Sequence, residues 1–424
     1  MKIIKGEIPQ DFYEKIKYED LSKVEDIILD VKNNGDSAII KYSEQFKDGN
    51  FNSGEDFLVS QTEIEDAFKQ VDNSLIEAIK SAISNIREFA LGQINCVQNL
   101  KMSVHKYEKS ILGHKIIPLE SVLCYVPGGN YPLVSSALMS VIPSKIAGVK
   151  NIFLTSPKIS PEVICAAHLS GADKIYKLGG AQAISAFAYG TKSIPKVDKI
   201  VGPGNKYVNY AKKYVYGECG IDFIAGPSEV MIIADDDAKP ELISADMLAQ
   251  CEHDLDARAY LICDSEEFAS EVQKAASKQL ENLQTKEIAS VSFNKSFCIV
   301  EPDFNKKVEI ANKKAPEHLE LFYKNPEKTI NCFKNYGSLF IGQNCAEVFG
   351  DYCSGTNHIL PTNQVAKFHG GLSVFDFIKI QTYQNIDKQY ASVLSQIASK
   401  LAKSEGLFAH KLASDLRGDK KDES

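Results

Sequence analysis

Three separated segments of the chain carry side chains that could bind a metal ion or transfer protons. They are Gln250 to His253, Pro316 to His318, and Gly350 to His358. Each segment contains a histidine, although the whole chain has only eight. Imidazole, carboxylate and amide groups together suit zinc or a similar divalent ion, and a carboxylate beside an imidazole suits proton transfer near neutral pH. The residue types therefore indicate an enzyme site.

Two of these segments favour a metal site of the open, catalytic kind. Gln250 and His253 lie on one face of a helix predicted from Pro240 to His253, and this spacing can bring two ligands to one ion. A lone histidine near a helix end is more often a surface group, so this pair alone leaves both interpretations open. Asp351 and His358 favour the metal site, because the turn between them can direct both side chains to one point.

Glu317 and His318 are a candidate acid/base pair. Adjacent residues do not share a helix face, so the two side chains would address different atoms of a substrate. The alternative is the start of a helix, with Pro316 at its first position and Glu317 favourably placed in the helix dipole. The dipeptide alone does not decide between these interpretations.

Composition excludes several classes of protein. The chain of 424 residues is 44% apolar and 25% charged, as in globular proteins, and its net charge of −8 argues against binding of nucleic acid. The cysteines include no Cys-x-x-Cys pair, which favours reduced thiols over disulfides or a thiolate zinc site. The first residues lack the apolar core of a signal peptide, and no run of about 18 apolar residues occurs. We therefore predict a cytoplasmic protein with no nucleic-acid or membrane partner.

The pattern of apolar residues predicts an α/β fold. Residues 1–100 are predicted to be mainly helical, and from Ser121 onward short apolar runs alternate with helical segments, which indicates parallel βαβ units. From about Asp376 the pattern is helical again, and the polar tail after Arg417 is predicted to be disordered. We predict two Rossmann-like parallel-sheet domains of an incomplete nucleotide-binding type, with small helical N- and C-terminal segments. The predicted strands are 122–126, 151–154, 174–178, 199–201, 230–234, 259–263, 297–300 and 338–341, and the helices between them are 133–147, 161–169, 182–189, 206–216, 240–253 and 266–280.

Three glycine-rich turns follow strands of the first series. They are Pro127 to Gly129, Gly179 to Gln182, and Gly202 to Asn205. Open α/β sheets bind ligands at the carboxyl ends of their strands, where helix N-termini attract phosphate groups. None of the turns has the G-x-G-x-x-G pattern, because Tyr207 stands where the third glycine of the last one would be. A nucleotide site and plain strand-to-helix geometry both stay open.

Together these motifs resemble the histidinol dehydrogenase family. The resemblance extends from about Glu19 to about Arg417. Because so many specific motifs occur in one order, the chain is identified as a member of that family. The matching pieces are Tyr125 to Gly129, Gly179 to Ala183, Lys196 to Asn205, Ala225 to Val230, Gln250 to His253, Pro316 to His318, Asp351 to Thr362, and Ala409 to Lys411.

The resemblance implies a zinc enzyme that oxidises L-histidinol to L-histidine through an enzyme-held aldehyde, using two molecules of NAD in turn. This is the final step of histidine biosynthesis. The resemblance also implies a homodimer with shared active sites. The predicted domains are an N-terminal segment (1–18), a first α/β domain with the metal and catalytic residues (19–124 with 228–372), a second α/β domain on the dinucleotide side (125–227), and a helical extension exchanged in the dimer (373–424).

The same resemblance implies a role for individual residues. Glu317 and His318 would be catalytic: His318 accepts the alcohol proton, and Glu317 activates the water that hydrates the aldehyde. His358 then becomes a substrate contact or a support for a zinc ligand. The implied zinc ligands are Gln250, His253, Asp351 and, from a second subunit, His410; the dinucleotide contacts are Tyr125, Gln182 and Asn205; and the substrate residues are Ser228, Gln250, His253, His318, Asp351, Glu405 and His410.

Two cysteines lie close in sequence to the implied ligands. Cys251 follows Gln250 directly, and Cys353 stands where the family commonly has alanine; both are interpreted as small apolar fillers.

Two other classes of protein need to be weighed. A zinc hydrolase would usually show His-Glu-x-x-His or three histidine ligands, and neither pattern occurs. A non-catalytic nucleotide-binding protein would explain the glycine turns but not the Glu317-His318 pair.

Overall fold

The computed structural model describes residues 1–15, 21–98, 103–106, 109–128, 131–325 and 328–418. The chain forms two compact units. The first comprises Met1–Leu91 and Leu119–Phe377, and the second comprises Gly92–Pro118 and Ile378–Ser424. Gly129 of the first glycine turn lies outside the described residues, as does the polar tail from Asp419 onward.

Strands and helices alternate through much of the chain. The strands are, in chain order, β1 (Lys2–Lys5), β2 (Ser103–Lys106), β3 (Ser110–Pro118), β4 (Ser121–Tyr125), β5 (Asn151–Thr155), β6 (Lys174–Tyr176), β7 (Lys199–Val201), β8 (Gly220–Ile221), β9 (Glu229–Ala234), β10 (Arg258–Cys263), β11 (Phe297–Val300), β12 (His318–Phe322), β13 (Ser338–Ile341) and β14 (Ile378–Asn385). The α-helices are α1 (Ser22–Asn34), α2 (Asp36–Gln45), α3 (Gln61–Gln70), α4 (Asn73–Gln98), α5 (Val134–Ala147), α6 (Pro161–Ser170), α7 (Gly180–Tyr189), α8 (Lys206–Val215), α9 (Pro240–Cys251), α10 (Glu266–Asn282), α11 (Lys286–Lys295), α12 (Phe304–Lys314), α13 (Glu347–Tyr352), α14 (Lys388–Ser404) and α15 (Phe408–Asp415).

The first unit contains a six-stranded parallel sheet, which we call sheet A. Its strand order is β1-β11-β10-β9-β12-β13. Every residue of β9 is buried, because helices cover both faces of the sheet as is usual for parallel strands. Alternate residues of β9 therefore enter two different cores: Val230 and Ile232 pack into one, and Met231 and Ile233 into the other.

A second parallel sheet, sheet B, has five strands in the order β6-β5-β4-β7-β8. Its core includes Leu123, Phe153 and Ile200 from the strands, and Ile28 and Ile39 from the N-terminal helices α1 and α2. The helical N-terminal segment thus covers one face of sheet B.

The predicted α/β class with parallel sheets is confirmed by these two sheets, and the Rossmann-like detail stays a prediction. The predicted strands and helices from residue 122 to 341 agree with the structure to within two residues at their ends, the usual uncertainty of such boundaries. The predicted domain boundaries at 124/125 and 227/228 stay predictions, because both sheets belong to one compact unit. Among the described residues, no helix is both long enough and apolar enough to cross a membrane.

Six of the described strands lie where the sequence predicts helices or no element: β1, β2, β3, β8, β12 and β14. β1 lies within the N-terminal segment and pairs in parallel with β11, with Lys2 opposite Phe297. β12 occupies the place of the alternative helix start at Pro316, because α12 ends at Ala315 in a left-handed conformation and proline disfavours helix in the residue before it. β14 replaces the first part of the helical extension predicted from Asp376.

The second unit is built on an antiparallel sheet with the order β14-β3-β2. The sequence pattern did not predict this sheet, because its strands β3 and β14 are separated by most of the chain. Helices α14 and α15 follow β14, so the helical prediction for the C-terminal part is confirmed only from Lys388 onward.

Candidate functional site

The candidate acid/base pair lies at the amino ends of sheet A. Ser228 directly precedes β9, Glu317 directly precedes β12, and His318 is the first residue of β12. Because β9 and β12 are neighbours in register, with Val230 opposite His318, the sheet brings these residues to one edge. The backbone N–H of Glu229 donates a hydrogen bond to Oε2 of Glu317 at 2.9 Å, which fixes that carboxylate at the edge.

The imidazole of His318 lies between two carboxylates. Its Nε2 is 3.4 Å from Oδ1 of Asp351, and its Nδ1 is 3.8 Å from Oε2 of Glu317. The three side chains are almost fully buried. Neither ring nitrogen has a hydrogen-bond partner within normal distance in the described part of the chain.

Burial and charge shift the pKa values of this group strongly. Burial raises the pKa of Glu317 to about 8, against the opposing positive charge of His318. Burial alone would lower the pKa of His318, but the surrounding carboxylates, led by Glu347, outweigh it and raise that pKa well above the ordinary value. Strongly shifted pKa values in a neighbouring acid and base are typical of sites that transfer protons.

A second cluster provides donor atoms for a metal ion. One donor atom each from His253, Glu347 and Asp351 lies within 4.8 Å of the others. The side chain of Gln250 is completely buried, and neither its oxygen nor its nitrogen has a hydrogen-bond partner among the described residues. An unpaired buried amide is costly, and this one is explained if its oxygen binds a metal ion.

Excess negative charge around this cluster also fits a cation. Glu320 and Glu347 are fully buried, and the backbone N–H of Glu347 donates to Oε1 of Glu320 at 3.0 Å. Burial raises the pKa of Glu347 to about 8 and that of nearby Asp246 to about 6. Several carboxyl groups in one buried region are stabilised by a bound cation, so the residues present fit a divalent metal.

The helix that carries two of the predicted ligands is shorter than predicted. Helix α9 ends at Cys251, Glu252 caps it, and His253 lies just beyond the cap. The sequence prediction that His253 shares a helix face with Gln250 is therefore wrong. Its backbone N–H still bonds the carbonyl of Gln250 at 3.4 Å, which holds it close to the end of the helix.

His358 supports the segment that carries Asp351. Its Nδ1 donates to the backbone carbonyl of Asp351 at 2.7 Å, and its Nε2 lies 3.3 Å from the hydroxyl of Ser136 at the start of α5. Nearby, the side-chain amide of Asn357 donates to the carbonyl of Met139 at 2.6 Å. These bonds hold the segment that carries Asp351 against α5, the helix that follows strand β4 of sheet B.

The predicted ligand His410 and the predicted substrate residue Glu405 lie in the second unit. Glu405 caps the end of α14, and His410 lies in α15; both are exposed. Sequence reasoning missed Glu347, whose carboxylate joins the metal cluster. Its position four residues before Asp351 was the available signal, since these positions share a helix face, but α13 is only six residues long and has no clear helical pattern.

The glycine turns of sheet B meet at the carboxyl ends of its strands. A Cβ atom on Gly128 would lie 2.1 Å from the carbonyl oxygen of Pro157, and one on Gly179 would lie 2.3 Å from Cβ of Pro157. The turns after β4 and β6 therefore pack directly against the turn after β5, and only glycine fits there. The close backbone approach creates a cradle of the kind used for phosphate groups.

The three predicted dinucleotide residues lie along this edge. Tyr125 is the last residue of β4, and its hydroxyl accepts a hydrogen bond from the N–H of Gly180 at 3.2 Å. Gln182 lies in the first turn of α7. Asn205 caps α8, where its side chain accepts from the N–H groups of Tyr207 and Val208, at 3.0 and 3.1 Å.

A buried ion pair fixes the third glycine turn. Lys212 and Asp222 contact each other with both side chains almost inaccessible to water. Lys212 donates to the carbonyl of Gly202 at 2.9 Å, and Asp222 accepts from the N–H of Gly202 at 2.8 Å. Gly202 has φ of 114°, and a Cβ there would lie 2.1 Å from the carbonyl oxygen of Tyr125. The pair thus holds the turn against the strand that carries Tyr125.

The two cysteines near the predicted ligands do not join the metal cluster. Cys251 is completely buried, and its Sγ lies 3.7 Å from the hydroxyl of Ser296. Burial raises the pKa of the Cys251 thiol, which disfavours the thiolate needed for ligation. Cys353 is exposed.

Comparison with known proteins gives consistent matches over the whole chain. A sequence model of the family described as histidinol dehydrogenase matches residues 13–418. The histidinol dehydrogenase of Methanocaldococcus jannaschii is 44% identical over 395 residues, which cover 92% of this chain and 90% of that protein. That of Lactococcus lactis subsp. lactis is 41% identical over 402 residues, which cover 93% and 92%. The crystal structure of histidinol dehydrogenase from Elizabethkingia anophelis superposes with a TM-score of 0.91, at 37% identity and 98% coverage of both chains.

Proposed function

Because the chain belongs to the histidinol dehydrogenase family, it is an oxidoreductase of the final step of histidine biosynthesis, and we propose that it oxidises L-histidinol to L-histidine through L-histidinal with zinc bound and NAD as hydride acceptor. The observation that carries the proposal is the buried imidazole of His318, which lies 3.4 Å from Asp351 and 3.8 Å from Glu317. This places a base between a candidate metal ligand and a second acid/base group.

Gln250, His253 and Asp351 are the residues of this chain that would hold the zinc ion. They offer an amide oxygen, an imidazole nitrogen and a carboxylate, which are donor atoms of the kinds that zinc binds. Zinc would supply positive charge that orients the amino alcohol and offsets the carboxylates around His318. Glu347 lies close enough to contribute to the same charge balance.

In the first half-reaction His318 accepts the proton of the alcohol hydroxyl. The hydride leaves the carbinol carbon for the co-substrate NAD, so the products are the aldehyde, NADH and one proton. The unpaired ring nitrogens of His318 allow this role, because one of them can bond the hydroxyl directly. Ser228, which directly precedes the neighbouring strand β9, would contact the same substrate.

In the second half-reaction Glu317 activates the water that adds to the aldehyde. The hydrated aldehyde then loses a hydride to a second NAD while His318 accepts one hydroxyl proton, which gives the carboxylic acid. The acid proton is then released to water and leaves the carboxylate of histidine. A raised pKa suits Glu317 for this duty, because a carboxylate that binds protons more tightly is a stronger base. The adjacent pair thus has two distinct tasks.

The test of the proposed function is the yield of NADH from L-histidinol with the purified protein. We expect about two NADH for each histidinol consumed, as a four-electron oxidation with a two-electron acceptor requires. A chelator should abolish the reaction and zinc should restore it. No NADH from a folded, zinc-loaded protein would overturn the proposed substrate, and a yield of one would overturn the second half-reaction.

We also propose a homodimer in which His410 completes the zinc site of the other subunit. Around His410, Phe408 and Leu412 of helix α15 and Leu416 directly after it are exposed. In the preceding helix α14, Ile397 and Leu401 are also exposed. Apolar residues at this spacing form a face that a second copy of the chain could cover.

A mixture of two variants that fail to form histidine tests this sharing of sites. Glu317→Gln and His410→Ala, co-expressed with different affinity tags and purified on both, should give heterodimers that form histidine at about half the wild-type rate per dimer. One of their two sites then combines an intact Glu317 with an intact His410. Heterodimers as inactive as the two parent homodimers would show that each subunit uses its own His410.

The proposed enzyme works in the cytoplasm. In the structure the cysteines are free thiols, and the pair with the closest sulfur atoms, Cys263 and Cys298, remains 3.7 Å apart. Reduced thiols are expected in a reducing compartment.

A further inference from the structure

We propose that Asp48 selects NAD over NADP by accepting hydrogen bonds from the ribose of the adenosine half. The inference rests on the proposed function, since it concerns the dinucleotide used in that reaction. It assigns a specificity role to a residue outside the glycine turns, in the loop that follows α2.

The first observation is a cavity at the carboxyl ends of sheet B. It has a volume of about 440 Å³ and is lined by Asp48, by Gly128 and Pro157 of the convergent turns, and by Lys158 and Ser160 before helix α6. This volume is in the range of pockets that hold parts of nucleotides. The cavity therefore extends the glycine cradle towards α2.

The second observation is that Asp48 is tied to a predicted dinucleotide residue. The side-chain amide of Gln182 donates to Oδ2 of Asp48 at 2.9 Å. Gln182 is completely buried, and its amide oxygen has no hydrogen-bond partner among the described residues. The amide thus holds the carboxylate in place beside the cavity.

Two opposite charges at the cavity, those of Lys158 and Asp48, would contact different parts of the dinucleotide. Lys158 lies on the same cavity and can pair with the diphosphate that both dinucleotides carry. Burial raises the pKa of Asp48, while the hydrogen bond from Gln182 and the charge of Lys158 oppose the shift. The carboxylate is therefore half-buried and close to one cation, where its interactions are weakly screened by water.

A carboxylate in this position discriminates by attraction and by repulsion. It can accept hydrogen bonds from the free ribose hydroxyls of NAD. The extra 2′-phosphate of NADP would place negative charge against Asp48 and remove a hydroxyl donor. Specificity often depends on such a repulsive element as much as on the favourable contact.

Equilibrium binding of NADH and NADPH, followed by the fluorescence of the reduced nicotinamide, tests the inference without turnover. The zinc-loaded wild type should bind NADH more tightly than NADPH. Asp48→Asn should weaken NADH binding, strengthen NADPH binding, and lower the ratio of affinities by about tenfold or more. Asp48→Glu keeps the charge and should keep the preference for NADH even if both affinities fall.

The matched control is Glu44→Gln, which removes one negative charge from an exposed position near the end of α2, the helix before the Asp48 loop. It should leave the ratio at the wild-type value. An unchanged ratio in Asp48→Asn, or a wild type that prefers NADPH, would overturn the role of Asp48 and leave the proposed oxidation intact. A wild type that binds neither dinucleotide would overturn the proposed function and this inference with it.

Discussion

Replacing Glu317 by glutamine is expected to slow the oxidation of L-histidinal much more than the oxidation of L-histidinol. Glutamine keeps the size of the side chain and can still accept the N–H of Glu229, so the fold should be retained. It cannot accept a proton from water, and loss of a general base typically costs about 10²–10⁴-fold in rate. The alcohol step uses His318 and should fall far less. Single-turnover NADH formation from each substrate measures the two half-reactions separately.

A matched control for this variant is Glu287→Gln, at an exposed position on α11. It should leave both half-reactions at their wild-type rates. Equal losses in the two half-reactions of Glu317→Gln would contradict the role of Glu317 as the base for hydration. They would point instead to a general effect on His318, whose Nδ1 lies 3.8 Å away.

Replacing Gln250 by leucine is expected to weaken zinc binding and to stabilise the metal-free protein at the same time. Leucine removes a metal ligand, so the zinc affinity should fall by at least about 100-fold, beyond the roughly 10–100-fold typical of residues that only support a ligand. It also removes a buried amide with no hydrogen-bond partner among the described residues. Relief of that unpaired group should raise the free energy of unfolding in chelator by about 1–3 kcal/mol.

Two measurements on this variant separate a metal ligand from a structural residue. Zinc affinity is measured by competition with a chelator, and stability by urea unfolding of the metal-free protein. Gln284→Leu, at an exposed position, is the control and should change neither quantity. If Gln250→Leu destabilised the metal-free protein, the buried amide would be a structural group, and its assignment to the zinc site would fail.

The order of elements in the two parallel sheets could be predicted from the sequence because each βαβ unit is a local pattern. β9 shows why: its run of apolar residues has the length of a strand, and both faces are buried. The motifs around Gln250, Glu317 and Asp351 were also visible, since residue types and short spacings are local properties of the chain. Their roles came from the family resemblance and not from the pattern itself.

Other parts of the fold depend on partners far away in the sequence. β1 forms because it pairs with β11, and β14 forms because it pairs with β3, so neither short segment specifies a strand by itself. β12 is a strand because it lies between β9 and β13, where all five of its residues are buried, including the charged Glu320. The charged Glu320 interrupts a short apolar run, so the sequence alone does not predict a strand at β12.

The sequence by itself determined the fold class, the family, and the residue types available for zinc binding and proton transfer. Only the tertiary structure decided which of them meet: it placed His318 between Glu317 and Asp351, brought Glu347 to the metal cluster, and joined Asp48 to Gln182 beside the glycine turns. The physical reason is that hydrogen bonds, ion pairs and burial act over a few ångströms in space. Residues that are about 30 to 130 positions apart can share a site only after the sheets have set their register.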